Sequence, residues 1–587
     1  MAVVLGHALS ARAQVLGPKI TLSGVIDSVT TAASNVFDGD YTRDKDSAWT
    51  ARSRGRYRLT ADVEPLQLLA VLELEVDFLW GDTGNPSDTG RGFSLNGAFT
   101  PTVNGIDVIE AKSFYVEFPL PRPHSAPWIP YTTARVGGQP FRTTLKPSVL
   151  ATGDYAGVSL ESEICGAWTF SLVCDDARVS FTYAQLDESL AGARPRPPGG
   201  DRGDDFFTFL AVTYPIPIDR HAFRVVPRLF WAYLDAEGTT AAPARCRIAC
   251  AGLPLNGRDP PGTQAPPGAP EATTGNFRPG SNEYRHYFGV DGTVEIELGR
   301  SGKIHIDPTA IYMTSTADVY GRPGVPAASP CGPERDIRCP TGPRQISRAR
   351  SWLVDLRAGW YCYGPCLDET WVGDVVRLGS GIHLEGLFMW TPGDASQHNL
   401  FRKNRVYHPI DTDSDYLNGW NEILATGSVD YLTGNSAHGM GENVGLGQYG
   451  RLQVGARLTW DAYQYWDRAL SVHLKWSSAW TDEKVDTDAG SPQQDNQSGS
   501  FGNVPCALLE ANCRPGNNRR GDASYIGTET SIGITYQFHR NIVFDVVGAY
   551  LFAGPALDST VRQADGVLVK RSAKDAQLAS ARLRFRF

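Results

Sequence analysis

The segment 581–587 alternates strictly between polar and apolar residues, and this alternation restricts the fold more than any other feature of the sequence. Arg582, Arg584 and Arg586 would share one face of a strand, while the intervening Leu and Phe residues would share the other. In a closed barrel that crosses a membrane, apolar side chains contact lipid and polar side chains contact a wet lumen. The pattern therefore favours a transmembrane β-barrel, provided that the rest of the chain repeats it.

The same period-2 pattern recurs along the chain and predicts an all-β fold: an antiparallel transmembrane barrel of about 18 strands (16–18), an even number as in single-chain bacterial barrels. The first strand begins near Lys19, the second lies near 47–65, and the third alternates Leu72, Leu74 and Val76 with acidic residues. Further strands are predicted near 109–121, 131–141, 152–164, 177–187, 204–217, 220–234, 283–298, 303–315, 347–362, 377–391, 447–461, 467–480, 523–538, 541–553 and 575–587. We expect lipid contacts from Leu72, Leu74, Val76, Phe78, Leu583, Phe585 and Phe587.

Short and long connections alternate between these strands. The short ones are Glu64-Pro65, 120–130, 214–220, 299–302, 464–468 and 538–541. The long polar ones are 83–108, 188–203, 237–280, 317–346, 394–446, 482–520 and 556–571. This layout is typical of outer-membrane barrels, which have short periplasmic turns and long extracellular loops. Within 394–446, the sequence NEILATGSVDYLTG is expected to fold inward over the pore mouth as a short strand or helix.

Residues 19–587 are therefore interpreted as one barrel domain, since no change in composition marks a second one. Residues 1–18 are interpreted as the remnant of a signal peptide, with Ala11-Arg12-Ala13 as an A-x-A-like cleavage site; an unstructured tail is the alternative. A net charge of -9 and a pI near 5.7 argue against a nucleic-acid partner. No apolar run of 18 residues or more predicts a transmembrane helix.

The ten cysteines fall into five pairs that are close in sequence. The pairs are Cys165 and Cys174, Cys246 and Cys250, Cys331 and Cys339, Cys362 and Cys366, and Cys506 and Cys513. An even count in short local segments suits an oxidising compartment, so we expect five local disulfides. A metal site at these pairs is disfavoured because no C-x-x-C occurs and no histidines cluster beside them.

The residues expected to face the lumen are strongly charged, with arginine in excess. The predicted anion path consists of Arg52, Arg54, Arg56, Arg58, Arg135, Arg228, Arg457, Arg582, Arg584 and Arg586. The predicted acidic lining consists of Glu73, Glu75, Asp77, Glu295 and Glu297. This pattern of charged residues has two interpretations. The charges form a cross-strand lattice of ion pairs, or the arginines form a stripe that favours carboxylates, since guanidinium groups bind such anions in a bidentate manner.

One acidic segment has the spacing of a calcium-binding loop. Asp411, Asp413, Asp415 and Glu422 occupy the first, third, fifth and twelfth positions of an EF-hand-like pattern, but Tyr416 stands where the sharp turn needs glycine. A solvated acidic loop is the alternative to a Ca²⁺ site, and no other cofactor is expected. The scattered histidines lie near no nucleophile elbow, so an enzyme is not expected.

The segments YVEFPLP (115–121) and ARVGGQPF (134–141), together with the alternating arginine and acid pattern, resemble porin-like barrels of the alginate-export type. The final Phe587 also resembles the insertion signal of bacterial outer-membrane barrels. These resemblances imply an outer-membrane location and a passive channel for small or extended anionic solutes, with polysaccharide export as one form of it. The alternative is a structural barrel whose long loops bind a surface partner. Lipid is the expected partner in both cases, and a homo-oligomer remains open.

Overall fold

The computed structural model describes residues 18–36, 47–81, 94–95, 110–122, 129–146, 149–164, 177–188, 204–219, 223–236, 282–299, 302–319, 345–363, 381–393, 405, 407, 409–412, 419–425, 427–430, 450–485, 523–562 and 568–587. Its strands are, in chain order, β1 (Lys19–Ser34), β2 (Ser47–Val63), β3 (Leu68–Gly81), β4 (Ser94–Leu95), β5 (Glu110–Pro119), β6 (Tyr131–Arg142), β7 (Ala151–Glu163), β8 (Arg178–Glu188), β9 (Asp204–Thr213), β10 (Ile216–Asp219), β11 (Phe223–Ala236), β12 (Asn282–Glu297), β13 (Lys303–Val319), β14 (Gln345–Tyr363), β15 (Gly381–Thr391), β16 (Asp411–Thr412), β17 (Arg451–Tyr465), β18 (Arg468–Val485), β19 (Ala523–His539), β20 (Ile542–Ala553), β21 (Ser559–Arg562), β22 (Leu568–Arg571) and β23 (Ala576–Arg586).

Eighteen of these strands form a closed antiparallel barrel, as the alternation predicts. Each pairs with its neighbour in the order β1, β2, β3, β5, β6, β7, β8, β9, β11, β12, β13, β14, β15, β17, β18, β19, β20 and β23. The ring closes where β23 pairs with β1, from Val25 opposite Arg586 to Ser34 opposite Gln577. Closure pairs both edges of each of the 18 barrel strands. Each of the predicted strands corresponds to one barrel strand.

The other five strands are short. β10 extends the edge of β9 along β11, and β4 pairs with two residues of β3. β21 and β22 form a hairpin of their own between β20 and β23. β16 pairs in parallel with the start of β7. Among the described residues, no helix is long and apolar enough to cross a membrane.

The short connections lie where the sequence predicts them. A 3₁₀ turn, Glu64–Leu66, joins β2 to β3, and Gln67 ends it in the left-handed conformation. Between β12 and β13, Gly302 has a φ of 95°, and a Cβ there would lie 2.0 Å from the Tyr361 carbonyl oxygen, so the turn requires glycine. Several predicted bounds were wrong: β13 and β18 run on to Val319 and Val485, while β15 and β17 begin at Gly381 and Arg451.

The outer face of the barrel is apolar. Large apolar side chains are exposed on strands all around the ring, for example Leu229 on β11, Phe288 on β12 and Ile532 on β19. Leu583, Phe585 and Phe587 are exposed there too, whereas Leu72, Leu74 and Val76 are half-buried and the Phe78 side chain lies outside the described residues. Buried charged residues such as Asp27, Asp291 and Asp545 occupy the inner face. The two faces therefore have the polarity that a membrane barrel needs.

Cys362 is disulfide-bonded, while the other nine cysteines lie outside the described residues. The five local pairs therefore remain a prediction. Mass spectrometry of unreduced peptides should find each cysteine linked to its near neighbour in sequence. Each bridge closes a short loop, so its effect on the free energy of unfolding should be modest and local. Free thiols at Cys331 and Cys339 would contradict the prediction.

Candidate functional site in the barrel lumen

Two connections fold into the barrel instead of extending away from it. One is the inner segment 419–430, part of the long connection between β15 and β17, and residues 420–425, 429 and 430 of it are all buried. The other is the crossing loop 143–150 between β6 and β7, in which Thr143, Thr144, Lys146, Val149 and Leu150 are buried. The inward course expected for NEILATGSVDYLTG is thus correct for its described part. That part forms bends and irregular backbone, so the expected strand or helix was wrong for it.

Glu529 on β19 fixes the inner segment through its backbone. The carboxylate accepts hydrogen bonds from three successive backbone N–H groups, those of Glu422, Ile423 and Leu424, with the last two at 3.0 and 2.7 Å. Glu529 is itself buried. A buried carboxylate needs such donors, and charge-assisted bonds of this kind are stronger than neutral ones. The Glu529 carboxylate and the backbone N–H groups of the inner segment therefore satisfy each other's need for hydrogen-bond partners.

Glu422 makes a second attachment through its side chain. Its Oε1 lies 2.8 Å from the Nζ of Lys475 on β18, and both side chains are almost completely buried. Ser428 donates from its backbone N–H and its hydroxyl to the same carboxylate. Since a buried charge is costly without a partner, this ion pair and its hydrogen bonds hold the turn of the segment against β18.

Further wall residues bind carbonyl oxygens of the inner segment. They are Arg451 to Leu424 at 2.9 Å, Arg457 to Gly419 at 3.2 Å and Arg582 to Ser428 at 3.3 Å. Arg457 also lies over the ring of Trp420, 4.9 Å from its centroid. The hydroxyl of Thr31 on β1 donates to the Asp430 carboxylate. The segment is thereby attached to β1, β17, β18, β19 and β23.

The crossing loop reaches the wall opposite β6. The ammonium of Lys146 lies 2.8 Å from Asp355 Oδ1 on β14 and donates to the carbonyl oxygens of Asp307 and Asp355, both at 2.6 Å. Burial lowers the pKa of Lys146, and the neighbouring Asp355 carboxylate opposes that shift. Asp291 on β12 accepts the backbone N–H of Leu145 at 2.8 Å and pairs with Arg228. The loop thus spans the lumen between two parts of the wall.

Both segments are packed in apolar clusters inside the barrel. One cluster joins Val149 and Leu150 to Tyr407, Ile410 and Trp420 and to inner-face residues of β6 to β15. A second packs Ile423, Leu424 and Val429 against β1, β18, β19, β20 and β23. Among the side chains that the structure describes, none from β2, β3 or β5 belongs to either of these clusters. The expectation that the apolar positions face lipid was therefore wrong for this part of the inner wall, where loop residues cover apolar side chains.

Arg52, Arg54, Arg56 and Arg58 lie on β2 and form what we call the arginine ladder. Its predicted acidic partners lie on the neighbouring strand β3. The Glu75 carboxylate, almost completely buried, meets three cations: Arg54 at 3.1 Å, Arg56 at 2.6 Å and Lys112 at 3.7 Å. Arg58 donates to the hydroxyl of Tyr115 at 3.0 Å. The Arg56 side chain remains 41% exposed. Glu75 is thus the shared partner of three cations on this wall.

The arginines of β23 lie at the seam where the barrel closes. Arg584 forms two hydrogen bonds to Asp27 on β1, at 2.6 and 3.0 Å. Arg582 pairs with Asp545 on β20 at 2.7 Å, in addition to its bond to the inner segment. Arg586 lies opposite Val25. These residues connect three strands and the segment, so they serve the architecture as well as the charge of the lumen.

The remaining predicted lumen residues occupy separate places on the wall. Arg135 pairs with Glu117 at 2.6 Å, and Arg457 pairs with Glu385 at 2.5 Å. Lys303 lies 2.8 Å from Glu295 and 3.9 Å from Glu297. Arg52 and Glu73 lie on β2 and β3, while the Asp77 side chain is outside the described residues. Glu117, Glu295, Glu297 and Glu385 thus each lie close to a cation.

The four residues of the calcium pattern are only partly described. Asp413 and Asp415 lie outside the described residues, as does the side chain of Asp411. The Glu422 carboxylate is bound to Lys475 and Ser428. Within the described part of the chain, no group of three His, Cys, Asp or Glu side chains is arranged to hold a metal ion.

Sequence reasoning missed Lys146, Lys475 and the crossing loop altogether. A lysine among the apolar and hydroxyl residues of TTLKPSVL was the available signal for a buried cation, but its partners on β14 are more than 200 positions away in sequence. Glu529 lies on a predicted strand, but its role as acceptor for the inner segment was not predicted.

No protein-family model matches the chain, and no curated protein matches it. Solved structures with a similar fold include OccAB1 of Acinetobacter baumannii (9% identity, 98% of this chain and 99% of that one, TM-score 0.43) and the outer membrane protein OprD of Pseudomonas aeruginosa (8% identity, 98% and 95%, TM-score 0.42). OccK11 (OpdR) of Pseudomonas aeruginosa is a third, at 10% identity over 97% of both chains with a TM-score of 0.39. The resemblance to the alginate-export type finds no support in these comparisons. Similarity at this level identifies neither a solute nor the residues that would bind it.

Proposed function

We propose that this protein is an outer-membrane channel through which small solutes diffuse passively, with a preference for anions. One observation carries the proposal: a closed barrel whose outer face is apolar and whose inner face is charged. Such a cylinder would expose its apolar face to water anywhere except in a bilayer, and all-β spanning structures must be closed. Diffusion through it needs neither chemistry nor a cofactor.

The inner segment and the crossing loop narrow this channel from one side. Because their apolar clusters cover part of the inner faces of β6 to β15 and of β18 to β1, we infer that the path past these two segments runs along β2, β3 and β5. Arg54 and Arg56 line this wall, and successive rungs of such a ladder are separated by about 6.8 Å. Conduction requires contacts that are attractive yet easily exchanged, and paired arginines that remain partly exposed meet that need.

The anion preference is tested by reversing the charge of the ladder. Replacing both residues (Arg54→Glu, Arg56→Glu) should move the reversal potential in a salt gradient toward cation preference, measured in a planar bilayer. Glu75 would then lie beside two new carboxylates, so the field along this wall would change sign. The matched control is Arg178→Glu, which breaks the half-exposed pair with Glu161 and should shift the reversal potential much less.

An unchanged reversal potential in a double variant that still inserts and conducts would mean that the ladder is only structural pairing. If wild-type protein inserts into the bilayer without producing conductance steps, the channel proposal itself fails. The alternative, a blocked barrel whose long loops bind a surface partner, would then take its place.

A further inference from the structure

A cavity that is separate from the arginine ladder lies in the half of the lumen near the short turns. It has a volume of about 530 Å³. β12 and β13 form one side of it, β14, β15 and β17 form the other, and Trp420 of the inner segment borders it. Small-molecule sites typically occupy about 300–1,000 Å³.

The charged groups around this cavity are balanced and paired. Arg457 lies 2.5 Å from Glu385 on one side, and Lys303 lies 2.8 Å from Glu295 on the other. The Asp307 carboxylate lies 3.7 Å from the imidazole of His305. Hydrogen-bond donors and acceptors therefore alternate around the cavity, while opposite charges largely cancel. At the Glu75 site, by contrast, one carboxylate is shared by three cations.

An aromatic strip runs along the same wall. The ring of Tyr361 lies 4.7 Å from that of His305 and 4.6 Å from that of His383, measured between centroids. Gly359 makes room for this arrangement, because a Cβ there would lie 2.2 Å from Cε1 of His305. The Nδ1 atom of His305 is buried without a hydrogen-bond partner among the described residues. The wall of the cavity thus offers an aromatic face with polar atoms beside it.

We propose that this cavity binds a polyhydroxylated ring, that is, one sugar residue of a solute in transit. The proposal rests on the proposed channel function, since the solute must enter the lumen. Each ring hydroxyl both donates and accepts, so it fits a surface on which carboxylates stand beside guanidinium and ammonium groups. The C–H face of the ring would pack against Tyr361, and aromatic rings offer such a flat apolar surface beside a polar group. A simple anion gains little here because the paired charges leave no net field.

Isothermal titration of the detergent-purified protein tests the site without requiring conduction. Maltose and glucuronate share the ring but differ in charge, whereas succinate and alanine carry charge without a ring. We expect saturable binding of at least one saccharide. Asp307→Asn and Tyr361→Leu should each weaken it about tenfold, as expected for the loss of one charge-assisted hydrogen bond or one packing surface. Tyr361→Phe, which keeps the ring, should retain most of the affinity.

The matched control is Tyr465→Leu, on the outer face at the end of β17 and outside the cavity, which should leave saccharide affinity unchanged. Binding of both saccharides would assign recognition to the ring, and binding of glucuronate alone would assign it to a ring that carries a carboxylate. The proposal is overturned if neither saccharide binds, if succinate or alanine binds in their place, or if both pocket variants bind as the wild type does. Conductance steps in a bilayer would leave the channel function standing in each of those cases.

Discussion

Replacing Lys475 with methionine should detach the inner segment from β18 and raise single-channel conductance. The Glu422 carboxylate is fully buried, and Lys475 is its cationic partner at 2.8 Å. Removing one member of a buried ion pair leaves an uncompensated charge and typically costs about 3–5 kcal/mol. A barrel closed by 18 paired strands should keep its fold, so the loss should appear mainly as movement of the segment 419–430 out of the lumen. Planar-bilayer recording measures the conductance, and thermal unfolding measures the stability.

Two further variants separate this effect from a general loss of stability. The double variant Lys475→Met, Glu422→Gln removes both charges and should recover much of the wild-type behaviour, which makes the pair a double-mutant cycle. Lys303→Met breaks a pair in which both side chains are about 30% exposed, and such pairs contribute about 1 kcal/mol or less. Conductance of Lys475→Met equal to that of the wild type would show that this ion pair does not position the segment.

The second large effect is expected on the opposite face of the barrel, where Ile532→Arg should impair folding into lipid. Ile532 lies near the middle of β19 and is 55% exposed on the outer face. An arginine at the midplane of a bilayer, facing lipid, costs about 2–4 kcal/mol. The folded fraction in lipid vesicles over a denaturant series measures that cost.

Tyr465→Arg provides the matched control for this substitution. Tyr465 is also exposed, but it lies at the end of β17 beside the short turn to β18. Near the interface the same change costs about 0–1 kcal/mol. Equal stability of the Ile532 variant and the control would place the middle of β19 outside the hydrocarbon layer and would contradict the membrane assignment of this face.

The strands could be predicted from the sequence because a barrel strand faces lipid on one side and the lumen on the other. Its residues therefore alternate between apolar and polar. In β23 the arginines alternate with Leu583 and Phe585 without exception. The sequence alone therefore predicts both the strand and the side of the barrel that each side chain faces. β9 has apolar residues on both faces: Phe207 is buried inside, while Leu210 is exposed outside. Alternation cannot identify the inner face in such a strand.

The contents of the lumen could not be predicted for a related reason. Phe207 and its neighbours on the inner wall are covered by loop residues such as Leu150 and Tyr407, which are distant in sequence. The partners of buried charges are equally remote: Glu529 binds backbone groups more than 100 residues away. Such contacts depend on where the loops lie once the barrel has formed, and no local pattern encodes that position.

The seam between β23 and β1 also has a kinetic consequence. Arg584 and Asp27, which meet there, are separated by 557 positions in the chain. Contacts between remote segments form slowly because a long loop must be closed before any contact compensates the entropy lost. Until β23 is in place, both β1 and β20 present unpaired edges that invite association with other chains. Assembly of this barrel should therefore be limited by its last strand, and a partner that shields the two edges during that interval would protect the chain from aggregation.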